Sequence, residues 1–277
     1  VLIIGGSGYV GSRLCEYLST FASTSQGCRE CKKLSLPLDL VTSRKRLAET
    51  LEIGNLDASL DGGLDFKGVY DLTNVLAHCV KGGVVSGEEL LKVADTLSSA
   101  RRLRRQIDNS HLRPVTTALL ADLVTLPELE KLLRFGLEDG GRVADQASQN
   151  LRSLRHRWQM LRAECRTILQ DLIRSNASIL QDTAIGDRNG RPVLALKIQS
   201  IHQIKGVVHS TSASGNTVFL EPHCVLALGN LIVATESEIY KEENRLLTEW
   251  SAVVGLNFQE IKDLGEVMLK LDLSLAR

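Results

Sequence analysis

The clearest pattern in the chain is a heptad-like repeat of apolar positions, which begins at Leu151 and continues to Leu172. Apolar side chains recur there at alternating spacings of three and four residues, which is the seam of a coiled coil and predicts a long helix. A second run with the same spacing starts near Cys224 and carries polar residues at Thr235 and Glu242. The seam positions are Leu151, Leu154, Trp158, Leu161, Cys165, Ile168 and Leu172, and then Leu228, Ile232, Ile239, Leu246, Trp250 and Val253. The spacing therefore predicts two long helices that pack through matching apolar faces.

A β-like region separates these two helices. Strands are predicted over 192–198, 204–209 and 217–220, and the turn-forming residues at 187–190 and 214–216 bound them as short hairpins. Two long helices on either side of a compact insert pair antiparallel, which places the insert at the tip of an arm about 40 Å long. An ordinary helical bundle with an incidental hairpin is the alternative that the pattern leaves open.

The remainder of the chain is predicted to be helical. Ser86 and Glu89 have the spacing of a capping box and open a helix that ends near Asp108. Pro127 opens a shorter helix, and the segment 136–141 is the loop that follows it. Aromatic residues make up 4% of the chain, which also favours helices over strands.

Composition limits the classes of function. The 33 basic and 33 acidic residues cancel, so a nucleic-acid partner must be contacted by local clusters of charge. The six cysteines form no disulfide framework, which favours a reducing, intracellular location and a soluble protein. The sequence contains no run of about 18 apolar residues, so no transmembrane helix is predicted. The chain begins at Val1 without methionine, so we expect a fragment. No targeting segment is visible in the sequence, and a location in an organelle such as a plastid stays open.

Three strings in the β region carry a resemblance to a known family. They are DRNGRPVLALK at 187–197, IKGVVH at 204–209 and SASGNTVFLEP at 212–222. Together they resemble the clamp region of MutS-like proteins of the second, recombination-suppressing subfamily. Lys205 and Ser210 depart from the pattern, since the family usually has a proline and an acid at these places.

Weaker similarity extends over nearly the whole chain from residue 13. Residues 81–103 look like the family's connector helix, and Leu14 to Gly27 looks like its opening helix. The resemblance implies a mainly α fold, in which a helical lever domain has a long antiparallel two-helix arm that carries a small β clamp at its tip. The implied division is a Rossmann-like stretch at 1–12 that is not a complete domain, a helical connector and core at 13–140, a first lever helix at 141–182, the β clamp at 183–223, and a second lever helix with its return to the core at 224–277.

The resemblance also implies a function. Such a protein is a DNA-binding scaffold of mismatch repair or recombination suppression that grips duplex or branched DNA through its backbone. Family members bind ATP and Mg²⁺ in an ATPase domain, and some carry a nuclease. The sequence contains no Gly-x-x-x-x-Gly-Lys-Ser/Thr string, so we expect those domains to lie downstream and this chain to be neither an enzyme nor a binder of cofactor or metal. A homodimer of the full-length protein is implied as well.

The expected DNA contacts are four cations and a histidine in the β region. The cations have no acidic neighbour there except Asp187, and contacts of this kind bind phosphates without reading bases. The histidine either contacts a phosphate or caps the sheet. The five residues are Arg188, Arg191, Lys197, Lys205 and His209. The alternative function is a coiled-coil interaction module that acts on ribosomes or on a protein partner.

Arginines of the first arm helix allow two interpretations. They pair with glutamates of the returning helix, as charges beside an antiparallel seam usually do, or they line a DNA channel. The acidic character of the opposite helix favours pairing. The arginines are Arg152, Arg155, Arg157, Arg162, Arg166 and Arg174, and the glutamates are Glu236, Glu238, Glu242, Glu243 and Glu249.

Two further motifs suggest chemistry that their context does not support. The start of the chain, with Gly5, Gly8 and Gly11, resembles the dinucleotide-binding turn of an epimerase or short-chain dehydrogenase. About 20 residues further on, where a second strand ending in an acidic residue belongs, the chain reads GCRECKK at 27–33, and no Tyr-x-x-x-Lys pair is present. We therefore interpret residues 1–12 as a foreign start and a nicotinamide-dependent enzyme as disfavoured. Cys28 and Cys31 have zinc-like spacing but lack suitably placed further ligands, which favours ordinary thiols.

Overall fold

The computed structural model describes residues 9–35, 39–107, 113–121 and 123–277. These residues form two compact units. Unit 1 contains the described residues up to Ala144 and those from Leu246 onward, and unit 2 spans Asp145–Arg245. Gly5 and Gly8 of the glycine-rich start lie outside the described residues.

The structure is mainly α, which confirms the predicted fold class at that level. A small antiparallel sheet lies in the chain between two long helices, Gln149–Ser175 and His223–Leu256. The elements are α1 Tyr9–Leu18, α2 Ser25–Cys31, α3 Leu40–Ser59, α4 Thr73–Val80, α5 Gly87–Gln106, α6 Pro114–Leu120, α7 Pro127–Gly136, α8 Gln149–Ser175, β1 Leu180–Arg188, β2 Arg191–Lys197, β3 Gly206–Thr211, β4 Thr217–Pro222, α9 His223–Leu256 and α10 Phe258–Ala276. Across the described part of the chain, no helix combines the length and the apolar character needed to span a membrane.

The helices of unit 1 begin where the capping residues predict. Ser86 accepts from the backbone N–H of Glu89, and the Glu89 carboxylate accepts from the backbone N–H of Ser86, so both bonds of the capping box are formed at the start of α5. Pro127 is the first residue of α7. Both predicted helices are confirmed, and the buried Leu90, Val93 and Leu103 place α5 in the core of this unit.

The predicted opening helix over Leu14 to Gly27 is wrong, because two helices with a turn between them occupy this range. The backbone N–H groups of Ser23 and Thr24 donate to the carboxylate of Asp272 at 2.7 and 2.9 Å. The Thr24 hydroxyl donates to the same carboxylate and accepts from Gly27 at the start of α2. A fully buried acid on α10 therefore fixes the turn and starts a new helix, which local spacing does not reveal.

Unit 2 contains the sheet, whose strands follow the order β1-β2-β4-β3 with antiparallel neighbours. Asn189 and Gly190 both have positive φ, at 55° and 77°, in the two-residue turn between β1 and β2. The three predicted strands correspond to β2, β3 and β4. β1 was not predicted, because its sequence LQDTAIGDR is largely polar and its middle is exposed.

Parts of α8 and α9 pack against this sheet in a single apolar core. Ser148, which caps α8, donates to Glu242 late in α9 at 2.7 Å, while Cys165 of α8 shares the core with Val225 at the start of α9. Within unit 2 the two helices are thus antiparallel. Thr235 and Glu242 are both buried, as the heptad spacing predicts.

The described N-terminal region does not provide the context of a dinucleotide fold. Gly11 lies in α1, and α2 is the next element. In the described ranges between Tyr9 and Ile179, there is no strand that could pair with an N-terminal one in a parallel sheet. The epimerase resemblance thus gains no support from the structure.

Candidate nucleic-acid interface

All five predicted contact residues lie on or beside the sheet of unit 2. Arg188 ends β1, and Arg191, which begins β2, is its direct cross-strand partner. His209 lies in β3, and Lys205 directly precedes that strand. Lys197 ends β2, about 20 Å from Arg191 at 3.3 Å per residue. The side chains of Arg188, Arg191 and His209 reach the same part of β4, whereas Lys197, at the other end of β2, pairs with Thr217.

Glu221 of β4 organises two of these residues. Its carboxylate is buried, with 1% of the side chain exposed. One carboxylate oxygen, Oε1, accepts from Nη1 of Arg191 at 3.2 Å, and the other, Oε2, lies 2.7 Å from Nε2 of His209. The expectation that Asp187 is the only acidic counterweight is therefore wrong, since Glu221 neutralises Arg191 from 30 positions along the chain.

A β-bulge explains how His209 reaches this carboxylate. Val208 pairs with Leu220 and Ser210 pairs with Phe219, so His209 is the extra residue of β3. Bulges re-aim side chains in this way. Its side chain is 23% exposed, which leaves the ring partly open to solvent while one nitrogen contacts Glu221.

Gly229 of α9 provides the space for the same carboxylate. A Cβ atom at this position would lie 2.6 Å from Oε1 of Glu221 and 3.3 Å from Nη1 of Arg191. Only glycine lets the helix cover the ion pair this closely. On the other helix, burial raises the pKa of the Cys165 thiol, and the negative charge of Glu221 raises it further. The glutamate thus lies within the packed interior of unit 2.

Arg188 has a different environment from that of Arg191. Its guanidinium carbon lies 4.0 Å from the centroid of the Phe219 ring. Its Nη1 donates to the backbone oxygen of Asp187 at 2.8 Å, and the Asp187 carboxylate accepts from Gly190 within the turn. Among the described residues Arg188 has no acidic ion-pair partner, so its charge is not neutralised.

The two lysines are exposed, and neither forms an ion pair with Glu221. Lys197 donates from Nζ to the backbone oxygen of Ser178 at 2.9 Å. The backbone oxygen of Lys205 accepts from His223 at 2.9 Å, and its Nζ has no hydrogen-bond or ion-pair partner in the described part of the chain. In the described residues, Lys197, Lys205 and Arg188 therefore have no carboxylate that balances their charge, whereas Glu221 balances the charge of Arg191.

The arm arginines use several different partners. Arg155 is buried and forms ion pairs with Asp145 and with Glu243 of the returning helix. Burial opposes its charge, but the hydrogen bonds to the two carboxylates outweigh burial and raise its pKa. Arg162 lies 4.7 Å from the centroid of an aromatic ring on its own helix, and Arg174 pairs with an aspartate on the same helix. Pairing across the two helices is thus observed for Arg155.

The cysteine pair of the N-terminal region forms hydrogen bonds and packing contacts. Cys28 donates from Sγ to the backbone oxygen of Ala22 at 3.4 Å. Burial, followed by the negative charge of Asp272, raises the pKa of Cys31 to about 11. The described residues contain no group of three His, Cys, Asp or Glu side chains that could hold a metal ion.

Comparison with known proteins finds relatives of this chain among proteins named Endonuclease MutS2. No family model matches it. It is 36% identical over 265 residues to the Endonuclease MutS2 of Synechocystis sp., in an alignment that covers 96% of this chain and 32% of that protein. The chain is therefore similar to part of an Endonuclease MutS2. The Endonuclease MutS2 of Symbiobacterium thermophilum is 31% identical over 96% of the chain and 34% of its own length, and that of a Geobacillus species is 31% identical over 95% and 34%.

The chain spans about a third of the length of the curated relatives it matches. The similarity extends well beyond the three strings in the β region, since the alignments cover nearly the whole chain. It therefore includes both units of the structure.

Proposed function

We propose that this chain is a DNA-binding scaffold region of a MutS2-like protein, acting in mismatch repair or recombination suppression. Unit 2 grips duplex or branched DNA through phosphate contacts from its sheet. ATP and Mg²⁺ binding, which the resemblance implies for the family, is assigned to the part of the relatives that this chain does not match. The lever and clamp roles are assigned to the α8–α9 pair and to the sheet between these helices.

The observation that carries this proposal is that only some of the cations on or beside the sheet form an ion pair with a carboxylate. Glu221 neutralises Arg191 and contacts His209, whereas Arg188, Lys197 and Lys205 have no ion-pair partner in the described residues. Un-neutralised cations on one small domain attract phosphates and release counterions when they bind. The proposal therefore keeps three of the five predicted DNA contacts, Arg188, Lys197 and Lys205. Arg191 and His209 instead contact Glu221 within unit 2.

Binding to a four-way junction and to a matched duplex, measured by fluorescence anisotropy across a salt series, tests the proposal. Each phosphate contact contributes about −0.9 to the slope of log K against log salt concentration. A triple variant, Arg188→Ala with Lys197→Ala and Lys205→Ala, should make the slope shallower by about 2 to 3 and weaken binding at low salt.

A matched control removes the same amount of charge from unit 1. Lys131, Arg142 and Lys262 are exposed there, with 74%, 64% and 50% of their side chains accessible. Alanine at all three positions changes the net charge equally and should leave the slope almost unaltered. Equal slopes for both triple variants would show that bulk charge, and not the sheet, attracts the DNA. Absence of binding by the wild type at low salt would exclude the proposal.

A second candidate function is an interaction module for a protein partner or the ribosome. Large apolar side chains on α8 and α9 favour it, since Met160 is 59% exposed and Tyr240 is 67% exposed. Under this alternative, Met160→Ser with Tyr240→Ser should abolish cosedimentation with ribosomes while leaving the affinity for DNA unchanged. Cosedimentation that survives both substitutions would exclude this surface.

A further inference from the structure

The hairpin between β1 and β2 places two like charges directly opposite each other. Arg188 and Arg191 are cross-strand partners, and like charges at such positions destabilise a sheet. Two side chains of β4 resolve the conflict. Glu221 binds Arg191, and Phe219, two residues earlier on the same strand, lies beneath the guanidinium of Arg188.

These two partners have opposite effects on charge. A carboxylate cancels the charge of the arginine that it binds, whereas the face of an aromatic ring attracts a cation and leaves its charge intact. The ring also restricts a long side chain that otherwise samples many rotamers. Arg188 is therefore both fixed in place and still cationic, and its Nη1 is held further by the backbone oxygen of Asp187.

We infer that Phe219 is a positioning residue, which holds the guanidinium of Arg188 ready to bind a phosphodiester of the nucleic acid. This inference rests on the proposed function. Arginine suits the task because its planar fork binds two phosphate oxygens at once, and a fork that is already oriented loses less entropy on binding. Lysine offers a phosphate a compact point charge without a planar fork, so Arg188, and not Lys197 or Lys205, is the contact that fixes where the strand lies.

Four variants of the full chain test this role: Phe219→Leu, Phe219→Tyr, Arg188→Ala and the double variant Arg188→Ala with Phe219→Leu. Anisotropy with four-way junction DNA is measured for each across a salt series. Phe219→Leu should weaken binding about two- to fivefold and leave the salt slope unchanged, because the cation remains but is no longer held. Phe219→Tyr keeps an aromatic face and should bind like the wild type. Tyr240→Leu, which removes an exposed aromatic of α9, is the matched control.

The double variant distinguishes positioning from a general loss of packing. If Phe219 acts through Arg188, Phe219→Leu has no further effect once Arg188 is alanine. An equal loss of affinity in both backgrounds would overturn the inference, as would unchanged binding by Phe219→Leu. Either result, with salt-dependent binding by the wild type, leaves the proposed function intact. A wild type that does not bind DNA at low salt would exclude both.

Discussion

Replacing Glu221 with glutamine tests whether this residue anchors the sheet. The substitution keeps the shape of the side chain and removes its charge, which leaves Arg191 without its counterion beside a buried amide. Breaking a fully buried ion pair on one side costs about 3 to 5 kcal/mol. Here 26% of the Arg191 side chain is exposed and can be hydrated, and glutamine still offers an acceptor oxygen. We therefore expect unit 2 to lose about 2 to 3 kcal/mol of stability.

The two tryptophans of the chain allow each unit to be followed separately. Trp158 lies in unit 2 and Trp250 in unit 1. In a Trp250→Phe background, urea unfolding followed by fluorescence reports on unit 2 alone. With an m value of about 1.2 kcal/mol per molar, the Glu221→Gln midpoint should fall by about 2 M. Glu238→Gln, on an exposed part of α9, is the control and should change stability by less than about 0.5 kcal/mol.

A small effect would refute the reasoning. If Glu221→Gln lowers the free energy of unfolding by less than about 0.5 kcal/mol, the carboxylate is not a buried anchor for Arg191. A double-mutant cycle with Arg191→Met gives a second criterion, since partners in contact should show coupling of at least about 1 kcal/mol. Additive effects would mean that the two side chains stabilise the unit independently.

Three other predictions follow from buried contacts. Hydrogen bonds, chiefly from Arg245, lower the pKa of Glu242 to about 2 from its ordinary 4.5. Because the pKa is lower in the folded state, the Glu242 carboxylate stabilises unit 2 above pH 4.5, and this stabilisation is lost as the pH falls towards 2. The free energy of unfolding of unit 2 should therefore depend less on pH in this range in a Glu242→Gln variant. Gly229→Ala should destabilise unit 2 by about 1 to 3 kcal/mol through overpacking. Gly54→Ala, at a helical site with nothing within 4 Å, should instead stabilise unit 1 by about 0.5 to 1 kcal/mol. Urea midpoints that shift in the same direction for both variants would contradict this prediction. Asp272→Asn should destabilise unit 1 by about 1.5 to 3 kcal/mol because the buried acid accepts three hydrogen bonds, and an unchanged midpoint for Trp250 fluorescence would argue against it.

The sequence was informative where structure depends on local spacing. The capping box at Ser86, the turn at Asn189 and Gly190, and the heptad positions Thr235 and Glu242 were all found where the pattern predicted them. Each of these signals depends on residues within about two turns of a helix or on a single hairpin, where backbone sterics and periodicity dominate. The five candidate contacts could also be located on the sheet before its geometry was known.

The partners of those residues depend on contacts between elements that are far apart in the chain. Glu221 was visible only as the acid before Pro222, and nothing local shows that it meets Arg191, that a bulge turns His209 towards it, or that Gly229 makes room for it. β1 was missed for a similar reason, because an exposed strand is defined by its pairing and not by an apolar pattern.

Periodicity and turn chemistry were thus sufficient for the long helices, the hairpin turn and the position of the cations. Tertiary packing was needed to show which cations are balanced by a carboxylate, because an ion pair requires a carboxylate within about 4 Å and strand pairing determines which side chains meet. At one end of the same sheet, β4 places Glu221 against Arg191 and Phe219 beneath Arg188. Two arginines that look equivalent along the chain are therefore made different by a strand that lies some 30 residues away.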